Sequence, residues 1–334
     1  MPTTRAAGPR RGATLWLGMV VLYLVWGSTY LGIAVAVDTI PPFLMAAIRF
    51  VIAGGVLIAW SLIRDGRAFV APTRREWRDS FIVGGLLLGG GMGMVAFGEQ
   101  TIPSGITALL IALMPVWVAI FGRILLGERL PRIAVLGIAV GFVGVGFLVG
   151  PSAFGGDGAL DPLGLGAVIL SPICWSLGSL FASHRATLPR RPLLATGAQM
   201  LAGGAILAVM SGLSGEVGTF RPGAVSNESL AALLYLTVIG SLLAFTTYGW
   251  LLRVAPLPLI ATYAYVNPIV AVALGAFVLR EPIEPRTLLA GAIIIFAVAL
   301  IVTARSRMNA PSRPAVPDPA ADQGPVAASS ASSA

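Results

Sequence analysis

The chain has 334 residues, of which 57% are hydrophobic and only 11% are charged, and its formal net charge is +8. Soluble domains carry about 25% charged and 45–50% apolar residues. This composition excludes a soluble enzyme, a disordered protein and a nucleic-acid-binding domain. It predicts an all-α protein that crosses a lipid bilayer many times.

Apolar runs separated by charged or Pro/Gly-rich breaks predict ten membrane helices, each filling the roughly 20 residues that a span needs. We place them at 15–37, 43–63, 81–97, 104–125, 133–149, 163–182, 193–211, 229–251, 257–279 and 287–303. The first run is too long for a signal peptide and lacks a small-residue cleavage site, so we interpret it as retained. Residues 1–13 then form an N-terminal segment, and the Ala/Ser/Pro-rich residues 308–334 are predicted to be a disordered tail.

The distribution of arginine predicts the orientation of the spans. If successive loops alternate sides, one side holds 18 of the 22 basic residues, and the other holds only Arg221, Arg280 and Arg286. The remaining one, Arg49, lies inside a span. Because positive charge accumulates in cytoplasmic loops, both termini are predicted to be cytoplasmic.

An internal repeat divides the chain into two halves, at 14–150 and 160–304. Four residues recur 153 positions later with the same spacing: Pro103, Pro115, Gly122 and Glu128 are followed by Pro256, Pro268, Gly275 and Glu281. Each half holds five spans, and since five is odd, the second half enters the membrane in the opposite orientation. Inverted-topology repeats are typical of secondary transporters, although some channels are also duplicated.

Short motifs in both halves carry a family resemblance. They are Trp26-Gly27-Ser28-Thr29-Tyr30, Pro41-Pro42, Arg49-Phe50, Pro103-Ser104-Gly105, Pro115, Gly127-Glu128-Arg129, and Tyr263-Ala264-Tyr265-Val266-Asn267-Pro268 with Glu281. In this order they resemble the EamA family of the drug/metabolite transporter superfamily, and within it the YedA-like inner-membrane subgroup. The resemblance covers about residues 14–303. It implies a multi-pass protein of the bacterial cytoplasmic (inner) membrane with a cavity between the repeats, which exports or exchanges small metabolites.

Matched prolines near the middle of the fourth and ninth spans indicate where a binding site would lie. Pro115 and Pro268 each remove a backbone hydrogen bond, and such breaks in corresponding segments are pointers to a transporter site. The side-chain amide of Asn267 finds no hydrogen-bond partner in lipid, and Tyr263 lies one turn before it on the same helical face. We therefore predict that both side chains line the substrate site, with packing kinks and helix–helix hydrogen bonds as the alternative.

Two tryptophans lie near mid-span instead of at the interfaces where lipid-facing tryptophan concentrates. Trp26 and Trp175 are each followed by small residues, which favours an internal cavity over a lipid contact, with buried packing as the alternative. Tyr30 lies one turn beyond Trp26. We predict that all three contribute to substrate binding.

Two charged residues are candidates for proton coupling or gating. Arg49 lies about 9 Å inside the second span, where a charge needs a partner, and Asp38 or Glu99 is the expected one. Glu99 ends the third span, where desolvation would let it load and release protons. A solvated loop position is the alternative for Glu99.

The chain offers no basis for catalysis or for a bound metal or cofactor. It holds one cysteine and one histidine, and its acidic residues are dispersed at span ends. The function predicted is a secondary transporter that exports or exchanges small, amino-acid-like or drug-like metabolites by alternating access, with proton exchange as a candidate driving reaction. An intramembrane lipid-modifying enzyme and a channel or sensor remain alternatives, and both a monomer and a homodimer stay open.

Overall fold

A computed structural model describes residues 9–153, 160–255, 257–260 and 262–308, which are helical almost throughout. The predicted N-terminal segment, the predicted tail and the repeat residue Pro256 lie wholly or largely outside these residues. Within them, nine helices are long and apolar enough to cross a membrane, and the helix Tyr263–Val278 is apolar but shorter. The predicted all-α fold with ten membrane helices is confirmed.

We number the ten helices α1 to α10 in chain order. They are α1 (Pro9–Val37), α2 (Pro42–Asp65), α3 (Arg74–Gly98), α4 (Ser104–Leu126), α5 (Arg132–Ala153), α6 (Pro162–His184), α7 (Pro192–Leu213), α8 (Asn227–Tyr235, Leu236–Leu243 and Ala244–Val254 end to end), α9 (Leu257–Ile260 and Tyr263–Val278) and α10 (Pro285–Met308). Short helical turns at Gly66–Ala68, Glu216–Thr219 and Pro222–Ala224 lie in the loops.

Helix ends follow local capping chemistry. Thr73 and Glu76 form a capping box, so α3 begins at Arg74 and not at the predicted residue 81. The predicted start missed this polar first turn because it carries no apolar signal. Asp161 accepts a hydrogen bond from the backbone N–H of Gly164, and proline occupies the first turn of α2, α6 and α7, where its missing N–H costs nothing.

Two helices contain a widened, π-helical stretch: Gly85–Gly93 in α3 and Leu236–Leu243 in α8. Such stretches are rare and concentrate at functional sites. Their positions in the third and the eighth helix correspond between the two halves of the chain.

The helices pack in a defined set of pairs. Helix α2 packs against α7, α5 against α10, and α4 against α9; α1 packs against α8 and α9, and α6 against α3 and α4. Glycines allow close approach in several pairs: at Gly54 a Cβ would lie 2.7 Å from the backbone nitrogen of Leu201. With no hydrophobic driving force between helices in lipid, such close packing stabilises the bundle.

Hydrogen bonds tie the bundle at both ends. At the arginine-rich end, Asp65 pairs with Arg191, and Asp79 accepts a hydrogen bond from the backbone N–H of Thr187. At the opposite end, the Glu281 carboxylate accepts from the N–H groups of Ser104 (2.8 Å) and Gly105 (3.2 Å). Glu216 does the same for Phe43 and Leu44 at the start of α2. These carboxylates neutralise the positive ends of α4 and α2.

Candidate functional site

A cavity of about 850 Å³, counting its open mouth, lies among the helices. Residues from α1, α2, α3, α4, α6, α8 and α9 line it, so both halves of the chain contribute. Eight residues singled out from the sequence are among them: Trp26, Tyr30, Arg49, Pro115, Trp175, Tyr263, Asn267 and Pro268. Glu99 is not part of this lining. A largely apolar lining with a few polar groups is typical of small-molecule sites.

Trp26 lies at the centre of an aromatic cluster on one wall. Its ring contacts Phe245, Tyr248 and Tyr263, with centroid distances of 5.6, 5.2 and 5.0 Å. The contacts with Phe245 and Tyr263 are edge to face and the one with Tyr248 is tilted, and together they fix the orientation of the indole. The cluster therefore holds the half-buried indole in place at the cavity wall.

Trp175 reaches the cavity from α6, opposite a run of glycines in α3. A Cβ at Gly91 would lie 2.9 Å from the Trp175 ring, and one at Gly90 would lie 2.8 Å from the sulfur of Cys174. The glycines thus make room for this part of α6. Tyr30 is half-buried and lines the cavity one turn beyond Trp26 on α1.

Asn267 is a buried polar group in the lining with unused hydrogen-bonding capacity. Its side chain is 8% exposed, and its Oδ1 atom has no hydrogen-bond partner among the described residues. Buried amide oxygens are nearly always satisfied. An unpartnered one beside an open cavity is available to a donor from a bound molecule.

Arg49 is a buried cation in the same lining. It is 2% exposed, its Nε donates a hydrogen bond to Ser241 Oγ at 2.8 Å, and its guanidinium lies 4.8 Å from the centroid of the Phe50 ring. In the described part of the chain, no carboxylate lies within 4.0 Å of it. The expected ion pair with Asp38 or Glu99 is therefore wrong: Asp38 is exposed at the helix end, and α8 supplies a hydroxyl group instead.

Glu99 lies at the arginine-poor end, directly after α3. Its side chain is 7% exposed, and neither carboxylate oxygen has a hydrogen-bond partner among the described residues. Burial raises the pKa of this carboxyl well above its ordinary value, and the negative charge of Glu281 raises it further. The solvated position considered as an alternative does not describe this side chain.

The two midspan prolines differ in their effect on the helix. Helix α4 is interrupted at Ala112 and Leu113, directly before Pro115, which occupies the first turn of the segment that follows. Helix α9 instead is continuous from Tyr263 to Val278 and runs through Pro268. The expectation of a break at Pro268 is corrected accordingly: the carbonyl that meets its ring belongs to Ala264, in the first turn, where the helix adapts easily.

Several lining residues were missed by the sequence reasoning. Ser171 and Pro172 lie in the middle of α6, and Pro172 carries the same signal, a proline within an apolar span, that identified Pro115. Met92, Ile111 and Phe245 also line the cavity but have no such signal. The sequence does not show whether an apolar residue in an apolar span faces the cavity, another helix or lipid. Ser241, which positions Arg49, was likewise not identifiable.

These features define a polytopic α-helical membrane protein with a central cavity built by both halves of the chain. The profile of the EamA-like transporter family matches residues 14–150 and again 162–303. The chain belongs to this family of membrane transporters.

Individual relatives agree with this assignment. The chain is 36% identical over 303 residues to the uncharacterized inner membrane transporter YedA of Escherichia coli K12, covering 90% of this chain and 94% of that one. It is 24% identical over 307 residues to the uncharacterized transporter YvbV of Bacillus subtilis, covering 92% and 94%, and 27% identical over 280 residues to protein PecM of Dickeya dadantii, covering 83% and 88%. A solved crystal structure shares the fold, with a TM-score of 0.60, 23% identity, and coverage of 89% of this chain and 99% of that one.

The relatives and the membrane-length helices establish a multi-pass protein of the inner membrane. Its surroundings are therefore the lipid bilayer, and its family implies a small-molecule substrate.

Proposed function

We propose that this protein is a secondary transporter that exports or exchanges small, amino-acid-like or drug-like metabolites by alternating access. The observation that carries the proposal is the cavity: helices from both halves line it, and a movement of one half against the other would change the side to which it opens. Both termini lie in the cytoplasm in this proposal, as the arginine distribution predicts.

The packing of the helices supports two inverted repeats, at 14–150 and 160–304. If the halves are repeats, helices α1 to α5 correspond to α6 to α10, and each contact should have a counterpart between the corresponding helices. The contact α1–α8 has the counterpart α6–α3, and α1–α9 has the counterpart α6–α4. The pairs α2–α7, α4–α9 and α5–α10 each join two corresponding helices, and all of these contacts are present. The π-helical stretches of α3 and α8 obey the same relation. In a twofold arrangement of this kind, the two halves can exchange conformations, and the protein then has an inward-open and an outward-open state of similar energy.

Within this proposal, five residues bind the substrate: Trp26, Tyr30, Trp175, Tyr263 and Asn267. The aromatic rings provide flat apolar surfaces, and the free Oδ1 of Asn267 accepts a hydrogen bond from the substrate. The interruption before Pro115 places irregular backbone beside the cavity, where it is tolerated within a membrane, and Pro268 lines the cavity from a continuous helix.

Glu99 is the proton-binding residue in this proposal. A buried carboxyl without hydrogen-bond partners is costly as an anion, and is therefore held largely protonated until its surroundings change. Among the described residues, Glu281 and Tyr30 interact electrostatically with it. Opening of the arginine-poor end to water would lower the pKa of Glu99 and release its proton.

The proposal is tested by untargeted measurement of metabolites in cells and medium. Cells with the wild-type protein, Asn267→Ala and an empty vector are compared at matched amounts of protein in the membrane. We expect a small set of compounds to appear in the medium with the wild type only. Equal export by Asn267→Ala would remove Asn267 from the binding site, and a specific change in lipid composition without export would favour an enzyme.

A further inference from the structure

The charge of the cavity indicates the chemical class of its substrate. Arg49 is the only charged side chain among the described residues that line it. Resting on the transporter function proposed above, we propose that the substrates are small organic carboxylates with an apolar body, and that the Arg49 guanidinium binds their carboxylate group.

Arg49 has no counter-charge among the described residues. A cation at this depth in a membrane protein is costly unless it is paired. Arg49 is 2% exposed, yet within the described ranges its only side-chain hydrogen bond is the one from Nε to Ser241. Its two terminal nitrogens donate to no described residue. An anion that enters the cavity would supply the missing partner.

The guanidinium of Arg49 is held in position, and its terminal nitrogens have no hydrogen-bond partner among the described residues. Ser241 fixes Nε, and the neighbouring Gly240 leaves room for the group, because a Cβ there would lie 3.3 Å from Nη2. The methyl carbon of Thr29 lies 3.2 Å from the same point, so the guanidinium and α1 both approach Gly240, and Thr29 and Arg49 both line the cavity. A positioned guanidinium of this kind matches the two oxygens of a carboxylate.

The other described residues that line the cavity carry no charge. No aspartate or glutamate of the described chain is part of the lining, so a cationic substrate would meet Arg49 without a balancing charge. Trp26, Trp175, Phe245 and other apolar side chains cover most of the remaining wall. One arginine among apolar walls suits a single negative charge on an apolar body better than a phosphate dianion, which requires more donors.

This assignment differs from the gating role that the sequence alone suggested for Arg49. A purely structural Arg49 would tie α2 to α8 through Ser241 and would have no influence on which compounds bind. A measurement of which ligands the Arg49 variants bind therefore distinguishes the two roles, whereas a measurement of their stability does not.

The test measures binding to the purified full-length protein in nanodiscs. The probes are phenylpropionate, indoleacetate and isocaproate, each beside its neutral primary amide, together with phenylpropylammonium and phenylethylphosphonate. Dissociation constants are obtained from ligand-dependent thermal stabilisation. The variants are Arg49→Gln, Arg49→Lys, Ser241→Ala and, as the control, Arg64→Gln, which removes an exposed arginine from the same helix.

We expect the wild type and Arg64→Gln to bind at least one carboxylate about tenfold or more tightly than its amide, the cation and the phosphonate. Arg49→Gln should weaken carboxylate binding roughly 30-fold and leave amide binding unchanged. Arg49→Lys should retain part of the preference, and Ser241→Ala should weaken carboxylate binding several-fold by releasing Nε. If Arg49→Gln does not fold, the proposal is still decided by the preference of the wild type for carboxylates and by the affinities of Arg49→Lys and Ser241→Ala.

The proposal is overturned if no carboxylate binds the wild type, if amides, the cation or the phosphonate bind as tightly, or if Arg49→Gln keeps the preference. Flux in proteoliposomes separates this result from the proposed function. Carboxylate binding that depends on Arg49 without flux would contradict transport and leave the anion site standing. Flux of neutral or cationic compounds alone would support transport and remove the anion site.

Discussion

The indole of Trp26 meets the phenol ring of Tyr263 edge to face, with their centroids 5.0 Å apart. The contact joins the first helix to the ninth, and so the first half of the chain to the second. Both rings line the central cavity. A change in how the halves pack would alter this contact and the shape of the cavity together, which couples the two in the proposed transport cycle.

Truncation of Trp26 tests the aromatic wall. Trp26→Ala removes an aromatic surface of the cavity, and a contact between such a ring and a substrate is worth about 0.5–1.5 kcal/mol. We expect substrate affinity to fall about three- to tenfold while membrane insertion is retained, measured as the half-saturating substrate concentration for flux. The control Trp16→Ala removes a tryptophan of the same helix that is 55% exposed, and it should leave affinity unchanged. An equal loss in both variants would contradict a binding role for Trp26.

Neutralisation of Glu99 tests its proposed protonation. Because its pKa is raised in the folded protein, its contribution to stability is full below the unfolded pKa and is lost as the pH rises through the folded pKa. The thermal midpoint of the wild type should therefore fall as the pH rises above about 4.5, the ordinary glutamate value. In Glu99→Gln this slope should be shallower, and the variant should be the more stable protein at high pH.

The same variant has a consequence for transport. If Glu99 exchanges the proton, Glu99→Gln should make flux insensitive to a pH gradient while the substrate still binds. Binding is measured in parallel by thermal stabilisation. A flux that responds to the gradient as the wild type does would remove Glu99 from the coupling mechanism.

The Glu281 carboxylate is predicted to stabilise the start of α4. Glu281→Gln removes the negative charge that accepts from the N–H groups of Ser104 and Gly105, and we expect a loss of about 1 kcal/mol in unfolding free energy. Unfolding in SDS provides the measurement. The control Glu284→Gln, an exposed residue of the same loop, should have little effect. Equal stabilities for the two variants would show that the carboxylate is not needed there.

Close packing of α3 on α7 gives a steric prediction. A Cβ at Gly84 would lie 2.4 Å from the backbone oxygen of Gln199, and backbone cannot rotate away as a side chain can. Gly84→Ala should therefore destabilise the protein by about 1–3 kcal/mol. At Gly55 no described residue comes within 4 Å of such a Cβ, so Gly55→Ala should be neutral or slightly stabilising. A stable Gly84→Ala variant would contradict the close approach of the two helices.

Much of the fold could be predicted because the signal for a membrane span is strong and local. An apolar run of about 20 residues bounded by charges marks its own limits, and α2, α4 and α6 begin within one residue of the predicted positions. The start of α3 was missed because its polar first turn depends on the capping box at Thr73 and Glu76 and not on hydropathy.

The candidate site was predictable only where a residue type is unusual for its surroundings. Asn267, Arg49 and Trp26 are conspicuous inside apolar spans, and all three line the cavity. The partner of Arg49 was not predictable, because it depends on how α2 and α8 pack, and 192 residues separate Arg49 from Ser241. Apolar lining residues such as Phe245 are indistinguishable in sequence from those that face lipid.

The most direct test of the central claim, that the protein is a carrier, is counterflow in proteoliposomes. The purified wild type and Asn267→Ala are reconstituted, and uptake is measured for the compounds that the metabolite comparison finds in the medium. A carrier predicts saturable, stereoselective uptake that is accelerated by unlabelled substrate on the opposite side and reduced in Asn267→Ala. Uptake that rises linearly with concentration, without saturation or acceleration, would contradict alternating access and indicate a channel.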